Sequence, residues 1–279
     1  MTKKRLLCLL AVIGFLAALA VFLMMVLPRT AAKTPSTDQS IPKITTEATT
    51  EATTLPTPTE TEPPVLTFGY EGDYLTCLSA PSMLGIDVSR YQGTIDWQKV
   101  KAAGMEFVIL RAGGRGYGTS GQLYEDSMAQ ENYRGAKAAG LKVGAYIFSQ
   151  AISEEEAREE AQYLLDITRD WQLDMPLVFD WECLAEDYRT MGVDARALTD
   201  YTIAFCETVK AAGREPMIYY NPTQSYKQMY LEELADYDFW LAMYAQQLEY
   251  PHKVDLWQYT NQGAVPGING NVDINLYFP

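Results

Sequence analysis

The sequence predicts an α/β chain: an irregular TIM-like (β/α) barrel whose last strands are joined by loops, behind an N-terminal transmembrane helix and a disordered stalk. Three observations predict it. The tetrapeptide Lys-Ala-Ala-Gly occurs at 101–104, 137–140 and 210–213, so the copies lie 36 and 73 residues apart, one interval close to twice the other. A short apolar run follows each copy within a few residues, at 107–112, 143–148 and 217–220. Ahead of them lie two stretches of different composition, one wholly apolar and one rich in Thr and Pro.

In chain order, Lys3, Lys4 and Arg5 precede an uncharged apolar run of 22 residues, 6–27, closed by Pro28 and Arg29. At about 1.5 Å per residue a helix of this length crosses a hydrocarbon core of roughly 30 Å. The apolar region of a signal peptide is shorter, about 7–15 residues, and Arg29-Thr30-Ala31-Ala32 is a poor cleavage site. Residues 1–29 therefore read as a cytoplasmic tip and an uncleaved signal anchor, a cleaved long signal peptide being the alternative. The basic cluster stays inside and the rest of the chain is sent out. Residues 30–64 hold twelve Thr and six Pro and no aromatic residue. Such a tract has almost nothing to bury against the entropy of folding, and its Pro-Thr pairs extend it into a stalk. Residues 65–82 are a transition, where Phe68, Tyr70, Tyr74 and Leu75 suit a short strand pair packed on the domain after it. The domain proper is 83–279.

Within the domain each Lys-Ala-Ala-Gly copy reads as a helix end. Good helix formers are followed by a cation in the last turn and then by a glycine able to take the left-handed conformation. Helix, glycine stop and β-rich run at a period near 36 is the βα unit repeated. The gap between the second and third copies holds one more unit: Ser153 and Glu156 form a capping box ahead of a helix at 154–167. Pro176 then opens a strand at 177–180, where its missing N–H does least harm. Runs at 84–88, 239–244, 256–259 and 272–277 bring the count to seven or eight strands, four or five of them followed by helices. Such a chain makes a parallel sheet, and a closed barrel is favoured over an open doubly wound one because no Gly-rich phosphate loop follows the first strand. Gly113-Gly114-Arg115-Gly116 follow the second strand and precede no immediate helix, so they read as a flexible loop.

Composition excludes several kinds of function. The net charge is −14, from 22 basic and 36 acidic residues, and residues 83–279 hold 16 of the former and 29 of the latter. Binding nucleic acid or an anionic surface through charge alone is excluded. His252 is the single histidine, so a two-His metal site is excluded. Cys8, Cys77, Cys183 and Cys206 form no Cys-x-x-Cys motif, and at most one disulfide, such as Cys183–Cys206, can form within the external part. No metal and no cofactor is implied.

The chemistry lies in carboxylates at strand ends. Along 177–182 side chains alternate, so Leu177, Phe179 and Trp181 face one way and Val178, Asp180 and Glu182 the other. The apolar set packs under helices. The two acids then point together at the C-terminal end of a strand, where barrel enzymes place their reacting groups. Like charges in a partly dry site raise one pKa, and a protonated acid beside an ionised one is what cleavage of a glycosidic bond requires. On this reading Asp180 stays charged and Glu182 holds the proton. Asp87 ends the first strand and Asp273 lies in the last; closing the barrel makes those strands neighbours, so these acids can join the first pair. Tyr146, Tyr220 and Tyr244 sit at or near strand C-termini and are read as turned inward, each offering a ring for a sugar face and a hydroxyl for its edge.

At these residues the chain resembles a known family. Gly85-Ile86-Asp87-Val88-Ser89-Arg90-Tyr91-Gln92-Gly93 with Ile95-Asp96-Trp97, Gly144-Ala145-Tyr146-Ile147-Phe148-Ser149, Asp180-Trp181-Glu182, Leu256-Trp257-Gln258-Tyr259 and Gly267-Ile268-Asn269-Gly270-Asn271-Val272-Asp273 are similar, in order, to motifs of the family 25 glycoside hydrolases, the cell-wall N-acetylmuramidases or lysozymes. The resemblance implies an irregular (β/α) barrel that hydrolyses the β-1,4 bond between N-acetylmuramic acid and N-acetylglucosamine in peptidoglycan glycan strands. It implies Glu182 as general acid and Asp180 as the group orienting the substrate's acetamido function, lined by Asp87 and Asp273. Many relatives carry His where Ile147 stands. The expected picture is a monomeric enzyme held at the cell membrane by its N-terminal helix, its catalytic domain outside. The competing class is a non-catalytic, membrane-tethered glycan-binding protein on the same scaffold, which loss of Asp180 or Glu182 would have indicated.

Overall fold

The computed structural model describes residues 66–183 and 189–279. The apolar run at 6–27 and the Thr/Pro tract at 30–64 lie outside the described residues. Among the described residues no helix is long and apolar enough to cross a membrane.

A hairpin comes first, β1 (Phe68–Glu71) paired with β2 (Tyr74–Cys77) around Gly72, whose φ of 60° suits glycine. It is the strand pair expected of the transition segment. Phe68 packs edge-on against Trp257 at 4.9 Å, and the Leu75 N–H donates to the Tyr259 hydroxyl. The barrel comes next: β3 (Met83–Val88), β4 (Phe107–Arg115), β6 (Lys142–Ser149), β7 (Leu177–Trp181), β8 (Pro216–Tyr220), β9 (Asp238–Ala242), β10 (Leu256–Gly263) and β11 (Val272–Tyr277), with β5 (Leu123–Glu125) hung on the edge of β4. Pairing of β3 with β4 closes the eight strands into a ring ordered β3-β11-β10-β9-β8-β7-β6-β4. Helices α1 (Trp97–Ala102), α2 (Ala129–Ala138), α3 (Glu154–Ile167), α4 (Ala195–Ala211) and α5 (Pro222–Lys227) follow successive strands, and loops join the last three strands.

The local chemistry explains most boundaries. Gly104, Gly140 and Gly213, the last residues of the three tetrapeptides, have φ of 96°, 76° and 73° just past α1, α2 and α4. Ser153 caps α3 by accepting from the Glu156 N–H, but the box is not closed on it: Glu156 Oε2 accepts from the Ile152 N–H instead. Complete boxes are found at Ser89 and Gln92, ahead of a short 3-10 turn, and on α5, where Asn221 and Gln224 satisfy each other's backbone N–H groups and Pro222 opens the helix.

Two features differ from the sequence-based reading. Gly113 and Gly114 are strand, not loop: β4 runs on to Arg115, and both glycines pair with β5. A Cβ at Gly113 would meet the Tyr124 carbonyl oxygen at 2.5 Å, and one at Gly114 the Tyr124 hydroxyl at 2.6 Å, so the glycines permit the close approach of β5. The sheet is also not wholly parallel. β11 is antiparallel to both neighbours, β10 and β3. The connection at 264–271 is shorter than a parallel crossover needs, so the chain turns straight back.

The apolar core has two compartments. One lies between the strands and the helices and includes Leu177, Phe179, Trp181, Phe205 and Ile218. The other fills the lower bore of the barrel with Phe107, Ile109, Met175, Val178, Met217, Trp240 and Leu256. The alternation expected along β7 is thus observed. Cys77, Cys183 and Cys206 are all free.

Candidate active site

Above the apolar bore the inward rows turn polar. Because β11 runs backwards, its first residues lie at the mouth where the parallel strands end. Asp273 is therefore brought directly opposite Asp87, its register partner on β3. Asp180 ends the inward row of β7 and Glu182 follows the strand; the two carboxyl groups interact directly. Asp87, Asp180, Glu182 and Asp273 thus gather at one mouth, as the sequence suggested.

Burial dominates their electrostatics. Asp180 is 6% exposed, and its Oδ1 has no hydrogen-bond partner among the described residues. Burial and the charges of Glu182 and Asp87 hold its pKa well above the usual carboxylate range, against the pull of the Arg111 guanidinium. Glu182 is less deeply set; burial and Asp273 raise it, and its contact with Asp180 draws it back. Both acids of the pair are thus raised, and Asp180 is the more deeply buried. Asp273 is pushed up to about 6 by burial. Asp87 is raised by burial and by Asp273, although Asn275 Nδ2 and Gln258 Nε2 both donate to its Oδ1, at 2.8 and 2.9 Å.

The tyrosines are sorted by strand face. Tyr146 points into the bore, edge-on to Trp240 at 6.2 Å, its hydroxyl held neutral by burial and by the neighbouring Asp87. Tyr244, half exposed at the rim, donates to Gln258 Oε1 at 3.1 Å, and burial with the charges of Asp273 and Asp87 pushes its pKa to about 12. Tyr220 is not in the site. It is fully buried on the helix side, packed on Phe239, and its hydroxyl donates to the Lys253 carbonyl. The inward residue is Tyr219, the register partner of Asp180, which stacks edge-on to Trp240 at 4.9 Å and donates to Gln258 Oε1. Ile147 is likewise fully buried in the outer compartment, so the departure from the family's His does not face the mouth.

Residues the sequence reading missed hold these groups in place. Gln258 receives both rim tyrosines on its oxygen and gives its amide to Asp87. Trp240 Nε1 donates to Asn275 Oδ1, which fixes the amide that reaches Asp87. Two buried glutamines grip the backbone of the Asp180-Trp181-Glu182 turn: Gln224 Nε2 donates to the Trp181 carbonyl at 2.7 Å and Gln150 Nε2 to the Glu182 carbonyl at 2.6 Å. The indole of Trp181 donates to the Ala151 carbonyl. The Leu-Trp-Gln-Tyr run of β10 contained the signal for Gln258, since the residue two positions before it, Leu256, faces the bore.

A mouth lined by interacting carboxylic acids with raised pKa, rimmed by tyrosines, can protonate a leaving oxygen and stabilise positive charge on a sugar ring. Comparisons with known proteins agree with this chemistry. The chain is 30% identical over 200 residues to the autolytic lysozyme of Clostridium acetobutylicum, covering 70% of this chain and 56% of that one. It is 29% identical over 208 residues to lysozyme M1 of Streptomyces globisporus, covering 69% and 67%. Among solved structures, the bacterial lysozyme from Streptomyces coelicolor superposes with a TM-score of 0.58 at 28% identity, over 72% of this chain and 94% of that one. The modular autolysin LytC of Streptococcus pneumoniae shares the fold, with a TM-score of 0.62 at 23% identity over 71% and 47%. The chain thus spans about half the length of the Clostridium enzyme and of LytC. The family model "Glycosyl hydrolases family 25" matches residues 86–268, which take in the second half of β3, the whole acid cluster except Asp273, and β10, and on that match the chain belongs to family 25 of the glycosyl hydrolases.

Proposed function

We propose that the barrel is a muramidase: it hydrolyses the β-1,4 bond between N-acetylmuramic acid and N-acetylglucosamine in peptidoglycan. The observation that carries this reading is the convergence of Asp87, Asp180, Glu182 and Asp273 on one largely buried barrel mouth. Glu182, the more accessible of the two, is the general acid that protonates the departing oxygen and then activates water. Asp180 supplies the proton held within the pair and, once charged, orients the acetamido group at the reacting carbon. Asp273, charged above about pH 6, makes the mouth negative as positive charge develops on the ring, and Asp87 lines the wall beside it. The names of the relatives, an autolytic lysozyme and lysozyme M1, support the same substrate. The apolar run at 6–27 and the Thr/Pro tract support a chain anchored in the cell membrane, with the barrel held outside it at the end of a stalk.

The test is the chemistry of the new chain end. Purified walls treated with the protein should lose turbidity and gain reducing N-acetylmuramic acid. Glu182→Gln should fold normally and act about 10²–10⁴-fold more slowly, the usual worth of general acid catalysis. Reducing N-acetylglucosamine, or near-normal lysis by that variant, would contradict the assignment.

A further inference from the structure

Beside the acid cluster, over the ends of β3, β4 and β6, lies a second cleft of about 490 Å³ with a different character. Its walls are Arg90, Arg111, Tyr91, Tyr117, Tyr124 and Phe148. It joins the catalytic mouth, because Phe148 is the register partner of Asp180 and the Arg111 guanidinium acts on the Asp180 carboxyl.

The two cations are placed, not incidental. Asp126 is 2% exposed and serves as their common anchor. Its Oδ2 accepts from Arg111 Nε at 2.7 Å and from the backbone N–H of Arg90 at 3.1 Å, and its Oδ1 accepts from the Met128 N–H. Each guanidinium carbon lies 5.0 Å from the centre of the Tyr91 ring, so the two charges are no further apart than twice that distance. Arg90 also lies 5.6 Å from the centre of the Tyr124 ring. Asp126 neutralises Arg111, with which it forms an ion pair, but Arg90 is exposed and forms no ion pair among the described residues. One positive charge is left over, against aromatic walls, in a domain whose net charge is strongly negative. Tyr91 and Tyr117 are 73% and 51% exposed and both line the cleft.

We infer that this cleft is a subsite for a carboxylate-bearing sugar unit, in which Tyr91 and Tyr117 pack on the sugar and Arg90 binds the carboxylate. A guanidinium suits a planar carboxylate, and of its outer nitrogens Nη2 donates to the Tyr91 hydroxyl at 3.3 Å, which holds the fork over that ring. The inference rests on the muramidase reading and sharpens it. Alternate sugars of a peptidoglycan strand carry a lactyl ether that ends either in a free carboxylate or in a peptide with carboxylates of its own, whereas chitin carries none. The cleft would thus make the enzyme selective for acidic strands although its own charge repels them.

The experiment measures kcat/KM on glycan strands with their peptides, on strands stripped of peptide so that the lactyl carboxylate is free, and on each after conversion of its carboxyl groups to carboxamides. The wild-type protein should prefer an acidic form over its amidated form. In Arg90→Gln that preference should fall about 5–30-fold, the worth of one charge-assisted hydrogen bond, and the loss should appear in KM. Arg90→Lys should retain part of it. Preference confined to the stripped strands assigns the lactyl carboxylate, and preference confined to the intact strands assigns the peptide. Wild-type cleavage without preference, or equal losses on acidic and amidated strands in Arg90→Gln, refutes the subsite and leaves the muramidase reading standing. Failure of the wild-type protein to cleave any of them removes both.

Discussion

The lower and upper halves of the barrel bore are built by the same strands and obey opposite rules. In the lower half the inward residues are apolar and packed tightly enough that glycine is required beside them: a Cβ at Gly85 would lie 2.5 Å from the Phe107 ring, and one at Gly144 2.7 Å from Ile109 Cδ1. In the upper half the next inward residues are Asp87, Arg111, Tyr146, Asp180, Tyr219, Gln258 and Asn275. Their acids are buried with amide partners or one another rather than with a matching set of cations. The outer layer shows that the fold can do otherwise. There the buried Glu160 is held by Arg115 Nε at 2.7 Å, although burial still raises its pKa to about 7. The lower bore stabilises the fold, and the mouth spends some of that stability on keeping acids protonated.

The largest test of this division is in the lower bore. Phe107 is fully buried, so Phe107→Ala should cost about 3–5 kcal/mol in denaturant unfolding. If the bore can relax around the loss, the measured cost will fall well below that range. The mouth should respond with the opposite sign. The folded state holds the proton of Asp273 up to about pH 6, whereas an unfolded aspartate loses it near 3.9. The folded state binds the proton more tightly, so the contribution of Asp273 to stability is fully present below about pH 4 and is lost as pH rises through about 6. Asp273→Asn removes this penalty and should stabilise the protein by about 2–3 kcal/mol at pH 7.5 and hardly at all at pH 4, while slowing the reaction. Thermal melts at both pH values decide it, and equal shifts at the two would show that the charge is not the cause. The smallest effect separates neighbours on β8. Tyr219→Phe loses a bond inside the mouth and should raise KM about 2–12-fold, whereas Tyr220→Phe loses a bond outside the sheet, about 0.5–1.5 kcal/mol of stability, with KM unchanged. A KM change in Tyr220→Phe would place the sugar on the wrong side of the strand.

How much of this was legible in the sequence depends on the range of the interactions. The period of two along 177–182 sorted Leu177, Phe179 and Trp181 from Val178 and Asp180 because one face is uniformly apolar. The same rule failed at Tyr219 and Tyr220, where adjacent positions carry the same side chain and only the neighbouring strand sets the parity. The glycine stops of α1, α2 and α4 were readable because they are local, whereas Gly113 and Gly114 were misread because the reason for them, Tyr124, arrives on a later strand. Gln258 and Asn275 reach Asp87 across 171 and 188 residues of chain, and no local pattern announces such a pairing. The reversal of β11 depended on the length of one loop.

That reversal also sets the pole at which the chain of the barrel begins and ends. Met83, which opens β3, is the register partner of Tyr277, which closes β11, so the first and last strands begin and end side by side at the end opposite the mouth. The hairpin joins there too, with the Leu78 N–H donating to the Thr67 carbonyl shortly before β3 begins. The mouth is thus free of both ends of the barrel's own chain, and the acid-lined face is bounded by loops alone.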